Sequence, residues 1–298
     1  RITQEIIVRL EAGTKPWIKP WRGVPVSRPL RACGIPYRGM NVFWLWMVAD
    51  MCGYASPFWM TYNQAKSLGA QVRKGEKSTI AIFYKSYTKE VEAPDTGERT
   101  DEARRVLKAY PVFNADQVDG LPERFHPAAT LELVEPEGRE AELDAFFAAI
   151  PVNLRHQGCE AYYEPTADRV TMPPTSLFSG FDHYYATLAH ELSHWTGHAS
   201  RLGRDLKNRF GTAAYAAEEL VAELSSAMLG AELGLPVTHL DSHASYIEHW
   251  LKLLKEDDRA ILTAAAKAEE ASSLLLTLGG RVTPDQFDDT SDDAALAA

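Results

Sequence analysis

The sequence predicts an α+β chain of two domains, and three observations lead there. Its 298 residues exceed what a single hydrophobic core usually serves. The charge is divided along the chain. From Arg1 to His126 there are 19 Lys and Arg against 13 Asp and Glu, a balance of +6; the remainder holds 12 against 28, a balance of −16, and together they give the overall −10. Finally, the second half holds a helical run, Tyr184–Gly197, with one His190–Glu191–Leu192–Ser193–His194 in it. These features place a mixed α/β domain over 1–127, a metal-helix domain over 138–283 and an acidic, disordered tail over 284–298. A basic half joined to an acidic half argues for two different partners.

The histidine run carries the sharpest chemistry. Residues four apart share a helix face, so His190 and His194 present two imidazoles to one cation. Glu191, one step round, reaches a water on that cation without being a ligand. Protein ligands, an open position and a carboxylate to take a proton are what a zinc hydrolase needs. Zinc is the divalent ion this ligand type suits. Ala186, Leu188, Ala189, Leu192 and Trp195 surround the motif. An apolar setting predicts a buried helix whose histidines need a partner, against the plainer reading of two surface histidines. Ser179 or Asp182 is expected to cap the start of this helix, and Gly197 to close it.

A third ligand must come from elsewhere. His198 suggests the H-x-x-G-x-x-H extension of the metzincins, but it falls two residues too early. The segment Tyr215–Leu224 lies in a helix predicted from Ala213 to about Leu233 and closed by Gly234. Glu219 is the favoured ligand, a gluzincin arrangement. Glu223 shares its face and is expected to hold a ligand histidine. Glu218 is expected to point to solvent, with Glu218 and Glu223 left open as alternative ligands. Tyr215 and His183 are candidates to stabilise an oxyanion.

The basic half is read in order. A helix is expected over Thr3–Ala12, followed by the doubled K-P-W of Lys15–Arg22. Pro36–Asn41 leads into an apolar helix, Val42–Met51, and another helix runs from Trp59–Gln64 to Gly69. Strands Ile80–Tyr84 and Val106–Phe113 are joined by a charged loop, Lys89–Arg105, expected to be mobile. Lys15, Trp17, Lys19, Trp21, Arg38, Asn41, Arg73, Lys74 and Lys77 are the candidates for a single-stranded DNA surface. There, cations track phosphates and rings stack on bases at about 1–3 kcal/mol each. Trp44 and Trp46 read as core. Trp17 and Trp21, between Lys and Pro, read as exposed, and composition alone leaves nucleic-acid binding open. In the acidic half, Pro127–Glu140 is the expected boundary and Leu143–Ile150 a helix. Glu160–Tyr163 and Arg169–Pro173 form a hairpin offering its edge to an extended peptide. Ala244–Leu254 and Ala260–Thr277 are scaffold helices.

Other classes are excluded. No apolar run reaches the ~18 residues of a membrane span. No signal core is apparent, and Arg1 in place of Met suggests a few residues precede the sequence. Cys33, Cys52 and Cys159 lack CxxC spacing and read as thiols of a reducing cytoplasm. Gly69–Ser78 fails as a phosphate loop because Glu76 follows Gly75.

Four segments, Ala12–Trp17, Pro36–Asn41, Trp59–Ala65 and Gly69–Lys77, together with His190–Gly197, Arg201–Leu202, Tyr215–Glu223 and His243–Trp250, resemble the ArdC-type antirestriction proteins. The amino-terminal pattern also occurs in some plasmid primases. The resemblance implies a single-stranded DNA-binding domain followed by a zincin-like metallopeptidase domain, carried on a conjugative plasmid. It implies protection of incoming DNA from restriction, with a host restriction-system protein as a possible target. His198 departs from the family pattern. A DNA-coating shield with a structural metal site remains the alternative; protein substrate and oligomeric state are left open.

Overall fold

The computed structural model describes residues 2–13, 15, 17, 27–92, 99–126, 138–204, 213–235 and 244–281. Lys19, Trp21, residues 127–137 of the expected boundary and the acidic tail lie outside them. The chain runs α1 (Ile2–Glu11), β1 (Leu30–Arg31), α2 (Met40–Cys52), β2 (Phe58–Met60), α3 (Tyr62–Ser67), β3 (Gln71–Val72), β4 (Thr79–Glu92), β5 (Arg99–Asn114) and β6 (Val118–Asp119). Beyond the boundary follow α4 (Arg139–Ala148), β7 (Asn153–His156), β8 (Tyr162–Glu164), β9 (Arg169–Met172), α5 (Phe181–Thr196), α6 (Ala213–Leu233), α7 (Ala244–Glu256) and α8 (Ala260–Leu278). The class is α+β, as the sequence predicts.

Two compact units emerge, and they do not follow chain order. One gathers the described residues within Leu30–Gly34 and Gly53–Pro127. The other gathers those within Arg1–Pro29, Ile35–Cys52 and Ala128–Asp288.

In the first unit, β1-β2-β5-β4 form a sheet, and β3 pairs with β6 in a two-stranded ribbon. A capping box starts α3: Gln64 N–H donates to Thr61 Oγ1 at 3.2 Å, and Thr61 N–H donates to Gln64 Oε1 at 2.9 Å. Met60, Ala65, Val72, Val118 and Phe125 make its core. The expected loop Lys89–Arg105 is largely strand, because β4 and β5 pair from Thr79↔Val112 to Glu92↔Arg99. Pairing begun at buried Ala81 and Val112 is carried on by ladder hydrogen bonds, which are indifferent to side-chain charge.

The second unit is built on helices. α6 packs against both α5 and α8, and α7 packs against α1. The small sheet β7-β9-β8 lies against α5 through Val170 and Met172. Strand β7, parallel to β9, escaped the sequence reading because Asn153–His156 has no apolar alternation. α2 is apolar all round, and Trp44 and Trp46 are buried as expected.

Trp17 requires a correction. Read as exposed, it is 2% accessible and meets Trp250 edge to face, ring centroids 5.5 Å apart. Lys15 is buried too, its Nζ 2.9 Å from Glu223 Oε1 and over the Trp250 ring. The apolar wall of Trp250 and a buried carboxylate, invisible in local composition, draw the first K-P-W inward. Trp17→Ala should therefore cost about 3–5 kcal/mol of stability, read as a lowered midpoint in thermal or urea unfolding. Tyr62→Ala, at an exposed ring, should cost under about 0.5 kcal/mol.

Candidate metal centre

The centre rests on α5 and α6. α5 begins after Gly180 with no side-chain cap, so neither Ser179 nor Asp182 does that work; Asp182 instead accepts from Arg139 Nη2 at 3.1 Å. Its end is Gly197, whose N–H donates to the His194 carbonyl at 2.8 Å. α6 spans Ala213–Leu233 as predicted, and the chain turns at Gly234, whose φ of 66° favours glycine.

Three ligand atoms converge. His190 Nε2 and His194 Nε2 are 3.2 Å apart. Glu219 Oε2 lies 3.7 Å from the first and Glu219 Oε1 3.5 Å from the second. All three residues offer an atom within 4.8 Å of the others. A tetrahedral ion with bonds of about 2.0–2.1 Å holds its ligand atoms roughly 3.3–3.4 Å apart. Two imidazole nitrogens and a carboxylate pointing at one place are Lewis bases sharing a position, and the donor set fits a divalent cation.

A cavity of ≈ 340 Å³ opens on this cluster, lined by Glu191, Glu218, Tyr215, Tyr246 and the β8 residues Tyr162 and Tyr163 among others. Burial pushes the Glu191 carboxyl up, against the two imidazoles that would lower it. Burial also opposes charge on Glu219, but the hydrogen bond to His190 and the field of both imidazoles bring it down to about 2. For His194 burial works against protonation, yet Glu218, Glu219 and Glu191 outweigh it and raise the ring to about 9. Burial raises the Tyr215 phenol, whose hydroxyl is 3.3 Å from that of Tyr246.

Two expectations for α6 are corrected. Glu218 does not face solvent: its side chain is 12% accessible, and its Oε1 sits 3.3 Å from His194 Nδ1. Arg204 holds it, donating from Nε to Oε2 at 3.0 Å and from Nη2 to Oε1 at 2.9 Å. Glu223 does not hold a ligand histidine, because Lys15 takes its Oε1. Glu218 was misread because helical phase says which way a side chain starts but not what the next segment brings to meet it. No sequence signal marked Arg204. The oxyanion candidates part company: Tyr215 lines the cavity, whereas His183 is exposed and outside it. His198 bonds Ser200 through Nδ1 at 2.8 Å and is absent from the ligand group.

A clamp unseen in the sequence fixes the hairpin beside the centre. Asp168 accepts from Arg201 Nη1 at 3.0 Å and from Tyr163 Oη at 2.8 Å, while the Arg201 guanidinium lies 3.8 Å from the Trp195 ring centroid. The turn of β8–β9 is thereby tied to the end of α5. β8 forms an edge of its sheet.

The described nucleic-acid candidates divide between the two units. Lys15 and Trp17 are buried, and Arg38 and Asn41 are half-buried at the start of α2. Arg73, Lys74 and Lys77, in the other unit, are exposed between β3 and β4. Arg73 pairs there with Glu76 at 3.0 Å and Asp119 at 3.4 Å.

Residues 1–113 match the family model of the N-terminal domain of anti-restriction factor ArdC, and residues 141–267 match that of a zincin-like metallopeptidase. The chain is 42% identical over 277 residues to the uncharacterized protein y4eC of Sinorhizobium fredii, covering 91% of this chain and 88% of that one. It is 40% identical to DNA primase TraC of Escherichia coli over 93% of its own length but spans 27% of that protein. The crystal structure of the antirestriction protein ArdC from plasmid R388, metal-free, superposes with a TM-score of 0.78 at 45% identity, covering 94% of this chain and 96% of that one. Its Mn(II)-bound form gives 0.75 at 43%, covering 96% and 98%.

Metal analysis of the dialysed protein should find one divalent ion per chain in the wild type and only traces in His194→Ala or Glu219→Ala. His198→Ala should keep its full complement.

Proposed function

Since the chain belongs to the ArdC family of antirestriction proteins, we propose that it binds single-stranded DNA, shields plasmid DNA entering a new host from restriction, and carries a zinc-dependent peptidase in its zincin-like domain. The observation that carries the peptidase reading is the convergence of His190, His194 and Glu219 with Glu191 beside them on one cavity. A bound divalent ion would supply acidity to a water and polarise a peptide carbonyl. The chain's own groups do the rest. Glu191, which lines the same cavity beside the three ligands, takes the proton of the attacking water. The same carboxyl then delivers that proton to the departing amine nitrogen. Tyr215, kept neutral by burial, donates its hydroxyl towards the carbonyl oxygen. The substrate, an extended segment of a host restriction-system protein, lies along the β8 edge.

DNA binding is supported by the basic amino-terminal half and by exposed Arg73, Lys74 and Lys77. Those three cations also favour a second reading, a coat that blocks restriction sterically, since none of them needs a metal.

Glu191→Gln should keep its metal and abolish hydrolysis, measured as the disappearance of cleavage products across the proteome of cells carrying each form. If Glu191→Gln protects transferred DNA as well as the wild type, the coat reading replaces the peptidase. Single-strand affinity should fall with salt at about 0.7 logarithmic units per phosphate contact. Lys74→Ala with Lys77→Ala should flatten that slope by about 1.4, two contacts' worth, and a wild-type slope of zero rules out the DNA claim.

A further inference from the structure

We infer that Glu218, locked by Arg204, is the residue that orients His194 towards the bound metal, and that Glu223 has no part in holding the ligands. This rests on the metal-centre reading above and deepens it.

An imidazole that serves a cation through one nitrogen carries its proton on the other, and an outer partner usually holds that proton and fixes the ring. Among the described residues, His194 has such a partner and His190 does not. His194 Nδ1 faces Glu218 Oε1 at 3.3 Å, leaving Nε2 for the cluster. His190 Nδ1 is buried with no hydrogen-bond partner among the described residues. The carboxylate that helical spacing offers for this task, Glu223, is spent on Lys15.

Glu218 is itself fixed from behind. Arg204, with a side chain 3% accessible, grips it from Nε and Nη2. The same guanidinium donates to the Ser193 carbonyl at 2.6 Å and to Thr196 Oγ1 at 2.9 Å. Ser193 directly precedes His194. The ring, the carboxylate, the guanidinium and the backbone of the metal helix thus close a loop, and rotation of the imidazole breaks at least one of its bonds. Glu218 is therefore a positioning residue, acting on the cation through His194.

The test is metal affinity of the full chain, stripped by chelator and titrated with Zn(II) against a competing dye, and separately with Mn(II). Glu218→Ala should weaken binding by about 10–100-fold. Glu218→Gln keeps an acceptor for Nδ1 and should recover all but about threefold. Glu223→Gln should bind metal as the wild type does, although its unfolding midpoint falls because Lys15 loses its partner. Wild-type affinity in Glu218→Ala, no rescue by Gln, or a loss in Glu223→Gln as large as in Glu218→Ala overturns the inference. A wild type that takes up neither metal overturns the metal-centre reading with it. Imidazole spectra of the zinc-loaded wild type need no variant: the His194 Nδ1 proton, bonded to a carboxylate, should resonate downfield of that of His190. A His194 Nδ1 proton no further downfield than that of His190 sinks the proposal.

Discussion

Burying carboxylates is the constraint to which the metal half answers. Glu218, Glu219 and Glu223 sit within two turns of α6, and each is largely removed from water. A carboxylate without a counter-charge in such a place would protonate or push the helix out. Each is met by cations or donors, His194 serving two of them: Arg204 and His194 for Glu218, the imidazole pair for Glu219, Lys15 for Glu223. A helix with this acidic run could not be buried by apolar contacts alone. The segments that bring its partners are tied to it for electrostatic reasons as much as for packing.

This explains which parts of the site were legible in the sequence. His190, Glu191 and His194 are local: one helix period sets their relation, and no other segment needs to be known. Glu219 was legible nearly as well because α6 is long, Ala-rich and closed by glycine, so its phase could be read. What failed was the fate of its neighbours. Glu218 and Glu223 look alike in a helical projection, and only the arrival of Arg204 and Lys15, distant in sequence, tells them apart. The clamp of Asp168 and Arg201 is illegible for the same reason.

The fold divides similarly. α1, α5 and α7 follow from apolar periodicity, and α2, α6 and α8 from apolar or Ala-rich runs. β7 does not, since its residues are largely exposed and its pairing with β9 is made by the backbone. Trp17 is the instructive case: a ring between lysine and proline in a loop has every local mark of exposure, yet it lies against Trp250. Local composition reports what a segment tolerates, and the destination is settled by a surface contributed over two hundred residues later.

The amino-terminal residues matched to the ArdC N-terminal model thus include some that belong, by contact, with the zincin-like helices. Lys15 finds Glu223 across 208 residues of chain, and Arg28 reaches Glu269 across 241. During synthesis on the ribosome these cations emerge more than two hundred residues before their partners appear. Long-range pairing of this kind is slow. A product ending before α8 would still seat Lys15 on α6 and Trp17 on α7, but it would leave Arg28 without Glu269.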